Sequence, residues 1–186
     1  MFLETEKEKY AEDKALVKAA LSGDPKAFGQ IVGKYRPVVA QTVMGMLGNC
    51  PEAEDTGQEV FIRFYRSMHR YKGDASLGTY LTRIAVNLSL NELKRRKVRN
   101  LTNLEEKHDP VYADKHSFEQ RDRAEWVEKA LALLDEKHRA VVVLRMIDGF
   151  STKETASLLH LPVGTVLSRL ARAQEKLKTI LKKLED

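Results

Sequence analysis

The chain has almost none of the residues that build a disulfide framework or a membrane span. One of its 186 residues is cysteine, Cys50, so no intramolecular disulfide can form, and this is typical of a reducing compartment. No apolar run approaches the roughly 20 residues of a membrane span. The first residues, MFLETEKEKYAEDK, are charged and lack the apolar core of a signal peptide. We therefore expect a cytoplasmic protein without direct membrane contact.

The sequence also lacks the common motifs of catalysis and metal binding. It has no cysteine pair, no glycine loop suited to a phosphate and no nucleophile-elbow sequence. The histidines show no metal-ligand spacing: His69, His108, His116, His138 and His160. The carboxylates are expected on solvated helix faces. The sequence accordingly predicts no enzyme, no metal site and no cofactor.

Charged residues are abundant, and their balance is slightly basic. Lysine and arginine number 32 against 27 aspartate and glutamate residues, a net charge of +5. This balance permits an anionic partner without requiring one. A hydrophobic content of 42% is enough to bury a core.

Helical patterns dominate the sequence. Apolar residues recur at spacings of three and four, and no period-two pattern of any length is present. Helix starts are indicated by Asp24 before Pro25, by Pro51, and by Ser151 with Glu154, which match a capping box. These patterns predict an all-α protein.

One stretch in the middle of the chain interrupts these helical patterns. Residues 100–119 have no helical period, are net acidic and are too many for an ordinary loop inside a compact domain. We interpret this stretch as a flexible linker. The predicted organisation is two small helical domains, residues 1–99 and 120–186, joined by that linker.

The C-terminal part of the sequence has the pattern of a helix-turn-helix. The segment FSTKETASLLHLPVGTVLSRLARAQEKL predicts a short helix, a turn and a longer helix. In this motif the second helix enters the major groove of DNA with its N-terminus first. One flank of the longer helix carries small and basic residues: Thr165, Ser168, Arg169, Arg172 and Lys176. We interpret this flank as DNA-binding, and an ordinary amphipathic helix with a solvated flank is the alternative.

The segment SLGTYLTRIAVNLSLNELKRRKVR combines a buried stripe with a polar one. The polar stripe contains an aromatic residue, amides and bases: Tyr80, Arg83, Asn87, Asn91 and Lys94. Such residues stack on unpaired bases and neutralise phosphates. The glycine-containing loop before this helix, Tyr71 to Ser76, is suited to an extruded base. For the basic cluster KRRKVR, a solvated helix end is an equally good interpretation.

A third candidate surface lies on the helix EAEDTGQEVFIRFYR. Opposite its buried stripe the apolar Ile62 is surrounded by polar and charged residues: Asp55, Gln58, Glu59 and Arg66. An apolar residue within a charged ring suggests a protein contact, although single exposed apolar residues are common.

These segments together resemble an extracytoplasmic-function sigma factor, the smallest type in the sigma-70 family. The resemblance rests on DPKAFGQIVGKYRPVV, on EAEDTGQEVFIRFYRSMHRYKGDASLGTYLTRIAVNLSLNELKRR and on the helix-turn-helix segment, in that order. It implies a subunit that gives RNA polymerase its promoter choice. It also implies binding to core polymerase, to promoter DNA as duplex and as non-template single strand, and to an anti-sigma factor.

The resemblance assigns a role to each candidate surface. Polymerase binding falls on Asp55, Gln58, Glu59, Ile62 and Arg66. Minus-thirty-five recognition falls on Thr165, Ser168, Arg169, Arg172 and Lys176. Minus-ten recognition, with capture of a flipped base, falls on Tyr71, Lys72, Gly73, Asp74, Tyr80, Arg83, Ile84, Asn87, Lys94 and Arg95.

The sequence departs from the family pattern in two places. TYLTRIA stands where the family usually has TWLYRIA, so Tyr80 replaces a tryptophan and Thr82 an aromatic residue. Leu167 stands where a basic residue is common. Two other functions remain open at this point: a helix-turn-helix regulator that acts without polymerase, and a helical adaptor that binds only proteins.

Overall fold

The computed structural model describes residues 2–102 and 119–185, and within these ranges it contains helices and no strand. This confirms the predicted all-α class. The helices of the first part are α1 (Phe2–Leu21), α2 (Pro25–Leu47), α3 (Pro51–Ser67) and α4 (Leu77–Thr102), with a 3-10 turn at Met68–Arg70. Those of the second part are α5 (Glu119–Ala132), α6 (Glu136–Val142), α7 (Thr152–Leu159) and α8 (Val163–Glu185). A π-helical turn, Val143–Ile147, continues α6.

The predicted helix starts of α2 and α7 are confirmed by their capping bonds, and α3 begins at Pro51 as predicted. The Asp24 carboxylate accepts a hydrogen bond of 2.8 Å from the backbone N–H of Lys26, and Pro25 opens α2. At α7 the Ser151 hydroxyl accepts from the Glu154 N–H at 3.2 Å. The Glu154 carboxylate in turn accepts from the Ser151 N–H at 2.8 Å. Both bonds of the capping box are therefore present.

The first part forms one core around α2 and α4. Helix α2 contacts α1, α3 and α4, and α3 also packs on α4. The largest fully buried side chains of this core include Ile31, Val39, Val43, Met46, Val60, Phe64, Leu77 and Leu81. Side chains spaced by three and four on each helix meet here, as the periodicity predicted.

Helix α1 is fixed to this core by a buried polar contact. The Asp13 carboxylate accepts from the Tyr35 hydroxyl at 2.5 Å and from the Lys34 ammonium at 2.8 Å. Burial, and then the hydrogen bond to Asp13, raise the pKa of Tyr35. One turn earlier, the Tyr10 hydroxyl donates to the Gly73 carbonyl at 2.5 Å. Helix α1 therefore supports the loop that precedes α4.

The second part contains the predicted helix-turn-helix. Helix α7 ends at His160, which has the left-handed conformation (φ 53°, ψ 47°) that commonly ends helices. Helix α8 then packs on α6 and α7. Val166 and Ala173 of its predicted stripe are buried, and Leu170, Leu177 and Ile180 are half-buried. The side chain of Leu184, also predicted for this stripe, lies outside the described residues.

The two parts touch each other along an apolar interdomain contact. Helix α2 packs against α5, α6 and the π-helical turn, and α4 packs against α6 and α7. A Cβ added at Gly45 would lie 3.1 Å from both γ-carbons of Val143, so a larger residue here would require the Val143 side chain to shift by a few tenths of an ångström. Val86 of α4 is buried in one cluster with Leu144 and Leu158.

Hydrogen bonds complete the interdomain contact. The Asp148 carboxylate accepts from the Thr42 hydroxyl at 2.8 Å and from the Gln41 amide at 3.1 Å. The Arg139 guanidinium donates to the Met46 carbonyl at 2.8 Å. The predicted linker, residues 100–119, lies largely outside the described ranges. At its ends, α4 continues to Thr102 and α5 begins at Glu119.

Replacing Asp148 and comparing stability at several pH values tests the interdomain contact. Burial raises the pKa of this carboxyl above its usual value of 3.8, although the hydrogen bonds from Gln41 and Thr42 act in the opposite direction. The cost of burying the charge is therefore absent below about pH 3.8 and grows as the pH rises through the raised pKa. We expect Asp148→Asn, which carries no charge, to gain stability relative to the parent protein as the pH rises from about 4 to about 7.

Urea unfolding of both proteins at several pH values measures this difference. A difference in the free energy of unfolding that stays constant across the pH range would show that burial of the Asp148 charge does not weaken the contact.

Candidate nucleic-acid interface

The N-terminal half of α8 presents small and basic residues to solvent. Ser168 and Arg172 are exposed, and Arg172 makes no hydrogen bond or ion pair with the described part of the chain. Thr165 and Arg169 are half-buried because they border the stripe that contains Val166. We give the name α8 surface to one set of residues: Thr165, Ser168, Arg169, Arg172 and Lys176. Its exposed part combines the Ser168 hydroxyl with the Arg172 guanidinium, which has no partner in the described part of the chain.

Lys176 is placed differently from its neighbours on the α8 surface. Its ammonium lies 2.7 Å from an Asp135 carboxylate oxygen and 3.4 Å from His138 Nδ1. Burial acts to raise the pKa of Asp135, but hydrogen bonds from Lys176 and His138 hold it well below its usual range. Lys176 therefore has a partner within the chain, and its predicted contact with the DNA backbone would compete with this surface ion pair.

The outer side of α4 carries the exposed members of the predicted minus-ten set. Asn87, Lys94 and Arg95 are exposed, and Arg83 is half-buried. We call these four residues the α4 surface. Arg83 Nε is buried without a hydrogen-bond partner among the described residues.

Two residues of the predicted minus-ten set pack against the core. Tyr80 is half-buried, and its ring makes edge contacts with Phe64 at 5.9 Å and with Tyr71 at 5.3 Å between ring centroids. Ile84 packs against the core as well. The ring is covered in part because an apolar ring gains more from this aromatic cluster than from solvent. The predicted role of Tyr80 in base recognition stays a prediction.

The loop between the 3-10 turn and α4 is held by local and distant bonds. The Tyr71 hydroxyl donates to the Ala75 carbonyl at 2.9 Å. Burial, with the nearby Tyr10 and Asp13, raises the pKa of Tyr71 to about 12. Gly73 has a positive φ of 77°, which favours glycine. Lys72 and Asp74 are exposed on either side of it.

Part of the basic cluster at the end of α4 is neutralised within the chain. The Arg96 guanidinium donates to the Leu47 carbonyl at 3.2 Å and to Cys50 Sγ at 2.9 Å, and it lies 3.4 Å from the Glu52 carboxylate. The Arg99 guanidinium lies 2.6 Å from Glu92. Arg96 therefore joins α4 to the start of α3, and the side chain of Arg95 is 77% exposed.

Helix α3 presents the mixed face that the sequence indicated. Asp55, Gln58 and Arg66 are exposed, and Ile62 is 44% exposed among them. Glu59, the remaining member of this α3 surface, is paired with Arg63 at 3.0 Å. Sequence reasoning missed Tyr65, which is 56% exposed and packs edge-on against Phe28 at 5.0 Å between ring centroids. Its spacing of three from Ile62 was the signal, and it enlarges the apolar centre of the surface.

Both halves of the chain match known protein families. Residues 31–99 match the model of sigma-70 region 2, and residues 124–177 match the model of sigma-70 region 4. ECF RNA polymerase sigma factor SigW of Bacillus subtilis strain 168 is 31% identical over 182 residues, which are 92% of this chain and 97% of that protein. The chain belongs to the extracytoplasmic-function sigma factors. It therefore binds core RNA polymerase and promoter DNA and directs transcription initiation.

Other curated relatives of this sigma factor align with it over most of their length. RNA polymerase sigma-H factor of Pseudomonas aeruginosa PAO1 is 33% identical over 184 residues, 93% of this chain and 95% of that protein. ECF RNA polymerase sigma-E factor of Escherichia coli K12 is 32% identical over 176 residues, 88% of this chain and 91% of that protein. Sigma region 2 thus comprises most of α2 with α3 and α4, and sigma region 4 comprises α5 to α8.

Two solved structures resemble this sigma factor. CnrH, in complex with the cytosolic domain of CnrY, gives a TM-score of 0.68 at 26% identity, covering 92% of this chain and 98% of the other. RpoE of Bartonella quintana, in complex with the anti-sigma factor NepR, gives a TM-score of 0.71 at 22% identity. That alignment covers 84% of this chain and 98% of the other. Because these alignments include both sigma regions, they confirm the predicted two-domain helical fold.

The described ranges contain no candidate metal site and no membrane-spanning helix. There, no group of three or more histidine, cysteine, aspartate or glutamate residues has the geometry to hold a metal ion. No described helix of this sigma factor is both long and apolar enough to cross a membrane.

Neighbouring arginines of α4 provide a test of the site geometry. We expect Arg96→Ala to lower the free energy of unfolding by about 1–2 kcal/mol, since it removes charge-assisted hydrogen bonds between α4 and α3. Arg95→Ala is the matched control, and we expect no measurable loss of stability because its side chain is largely in water. Urea unfolding at neutral pH measures both. Equal effects of the two changes would contradict the distinction between them.

Proposed function

We propose that this sigma factor divides its work among three surfaces. The α3 surface binds core polymerase, the α4 surface with the loop before it captures the minus-ten element, and the α8 surface recognises the minus-thirty-five element. The observation that carries the proposal is the contrast in chemistry between α3 and α8 on one chain. Helix α3 exposes apolar Ile62 and Tyr65 within charges, which suits a protein, whereas α8 exposes small and basic residues, which suit DNA.

The α8 surface has the properties that duplex recognition requires. Gly164, Ser168 and Ala171 are small and exposed, so the helix can approach base edges closely. The Ser168 hydroxyl, which donates to the Thr165 carbonyl at 3.0 Å, is available as an acceptor. Arg172 can bind a guanine edge or a phosphate. Thr165 and Arg169 stand at the border of this surface and support contacts to the DNA backbone.

The α4 surface and the preceding loop suit an unpaired base. Tyr71 and Tyr80 form a half-buried aromatic pair, and a base stacking on it would gain about 1–3 kcal/mol. Asn87, exposed two turns after Tyr80, offers an amide to the base edge. Lys94 and Arg95 continue along the helix and would neutralise phosphates, while Lys72, Gly73 and Asp74 form the rim of the loop. Arg83 and Ile84 would support the Tyr71–Tyr80 pair from the core side.

The protein is proposed to act by binding alone and not by catalysis. The solved complexes of CnrH with CnrY and of RpoE with NepR suggest that a protein inhibitor also binds this sigma factor. A regulator that acts without polymerase is the weaker candidate, because it gives no role to the α3 surface.

The interdomain contact implies that the promoter-bound form is open. Helix α4 packs on α7, and α7 packs on α8, so at 8–10 Å between the axes of each packed pair the axes of α4 and α8 lie within about 20 Å of each other at these contacts. The two promoter elements, about 25 base pairs apart, are separated by roughly 85 Å of duplex. The 16 residues between the described ranges span at most about 55 Å when fully extended. Simultaneous binding of both elements therefore requires the domains to separate.

Single substitutions distinguish the proposed roles. We expect Ile62→Ala to weaken binding to core polymerase about tenfold, as loss of a central apolar contact does, and Arg172→Ala to leave that binding unchanged. Arg172→Ala should instead reduce initiation at the promoter. Leu21→Ala, which changes another exposed leucine of the first part, is the control for Ile62→Ala. Fluorescence anisotropy with labelled sigma factor and run-off transcription measure the two activities.

Identical behaviour of Ile62→Ala and Arg172→Ala in both assays would refute the division of labour. Tight binding of the protein alone to a promoter duplex, without transcripts in the presence of core polymerase, would favour the stand-alone regulator instead.

A reversible cross-link tests the requirement for opening. Gln41 and Asp148 are in contact across the two domains, so Gln41→Cys with Asp148→Cys, in a Cys50→Ser background, places two thiols there. We expect a cleavable bis-maleimide across them to abolish initiation, and a reductant that cleaves the linker to restore it. The uncross-linked triple variant is the control. Full initiation by the cross-linked protein would show that the domains need not separate.

A further inference from the structure

An apolar strip lies on the exposed side of α8 near its N-terminus. Leu167 is 52% exposed and Val163, one turn earlier, is 43% exposed. The apolar residues of α8 that serve the core lie on a different side, where Val166 and Ala173 are fully buried. The strip therefore plays no part in holding the second domain together.

The position of Leu167 places it beside the proposed DNA contacts. At about 100° per residue, the outward arc of α8 runs from Leu167 on one side to Thr165 on the other, with Ser168 and Arg172 between them. Gly164 and Ala171, which adjoin Leu167 on this arc, are exposed and small. Neither of these two neighbours is bulky enough to keep the leucine away from a groove that the helix enters.

The chemistry of the major groove leaves one target for such a side chain. Every base pair presents hydrogen-bond donors and acceptors there, and a leucine can pair with none of them. The only apolar group at the floor of the groove is the C5 methyl of thymine, which apolar side chains contact. A phosphate is excluded as a target, since a leucine carries neither charge nor donor.

We infer that Leu167 is a specificity-determining residue that contacts the C5 methyl of a thymine in the minus-thirty-five element. Val163 packs beside it and shields the contact from water. The inference rests on the proposed function of the α8 surface and adds the identity of one base to it. A contact of the leucine depends on the base, whereas a contact with the phosphate backbone is available in any sequence.

The experiment removes the methyl group and nothing else. Run-off transcription with core polymerase first identifies a promoter that this sigma factor uses. That promoter is then synthesised as a set of duplexes in which each thymine of the minus-thirty-five element, on either strand, is replaced singly by uracil. Uracil keeps every hydrogen-bonding group of thymine and lacks the C5 methyl. We expect one replacement to lower the rate of initiation about fourfold, the worth of one buried methyl group.

Variants of the protein connect that effect to the leucine. In Leu167→Ala we expect thymine and uracil at the sensitive position to support equal initiation. Leu167→Lys should also lose the preference, and its added charge should steepen the dependence of promoter binding on salt by about one unit of slope. Leu181→Ala is the matched control, because Leu181 is a partly exposed leucine at the far end of the same helix. It should keep the fourfold preference.

Three results would overturn the inference. One is that no uracil replacement changes initiation by the parent protein. Another is that Leu167→Ala lowers initiation equally on thymine and uracil, as loss of a protein contact or of helix structure would do. The third is that Leu167→Ala retains the preference, so that another group contacts the methyl. Failure of the proposed function is distinguishable, because Arg172→Ala would then leave initiation unchanged, whereas failure of this inference alone leaves the Arg172→Ala defect in place.

Discussion

The buried guanidinium of Arg139 is the interaction on which the joined arrangement of the two domains depends. It donates to the carbonyls of Met46 at the end of α2, of Ala132 at the end of α5 and of Leu134 in the following turn. These bonds of its two terminal nitrogens offset the cost of burying the charge, whereas its Nε is buried without a hydrogen-bond partner among the described residues. The Arg139 side chain donates to carbonyls of both domains, so separating the domains breaks its bond to Met46. A buried guanidinium has few other acceptors to replace that bond. The apolar contact of Gly45 with Val143 then determines how closely the domains approach.

The local features of the fold could be predicted from the sequence. The starts of α2 and α7 followed from Asp24 before Pro25 and from Ser151 with Glu154, since a capping bond is formed between residues two or three positions apart. The buried stripe of α8 followed from its spacing. The exposed position of Ile62 within charges followed in the same way, because helical geometry fixes which side chains share a face.

Features that depend on distant residues could not be predicted in this way. Lys176 is paired with Asp135, which lies 41 positions earlier. Arg96 is bound to Cys50, 46 positions earlier. Tyr80 is drawn inward by Phe64 on another helix. Periodicity assigns a side chain to a face, but it does not show which partner lies opposite that face. The basic residues of the chain are therefore less available to DNA than their number suggests.

The π-helical turn at Val143–Ile147 determines the direction in which the residues after it point. It thereby affects how the two domains meet. The Asp148 N–H bonds back to the Val143 carbonyl at 2.8 Å, five positions earlier, where a regular α-helix bonds four positions earlier. The turn thus holds one more residue than an α-helical turn would. All that follows it is rotated by roughly 100° relative to an uninterrupted helix. The side of the first domain that meets Asp148, and the direction in which α7 and α8 leave α6, are therefore both determined by the length of a five-residue segment.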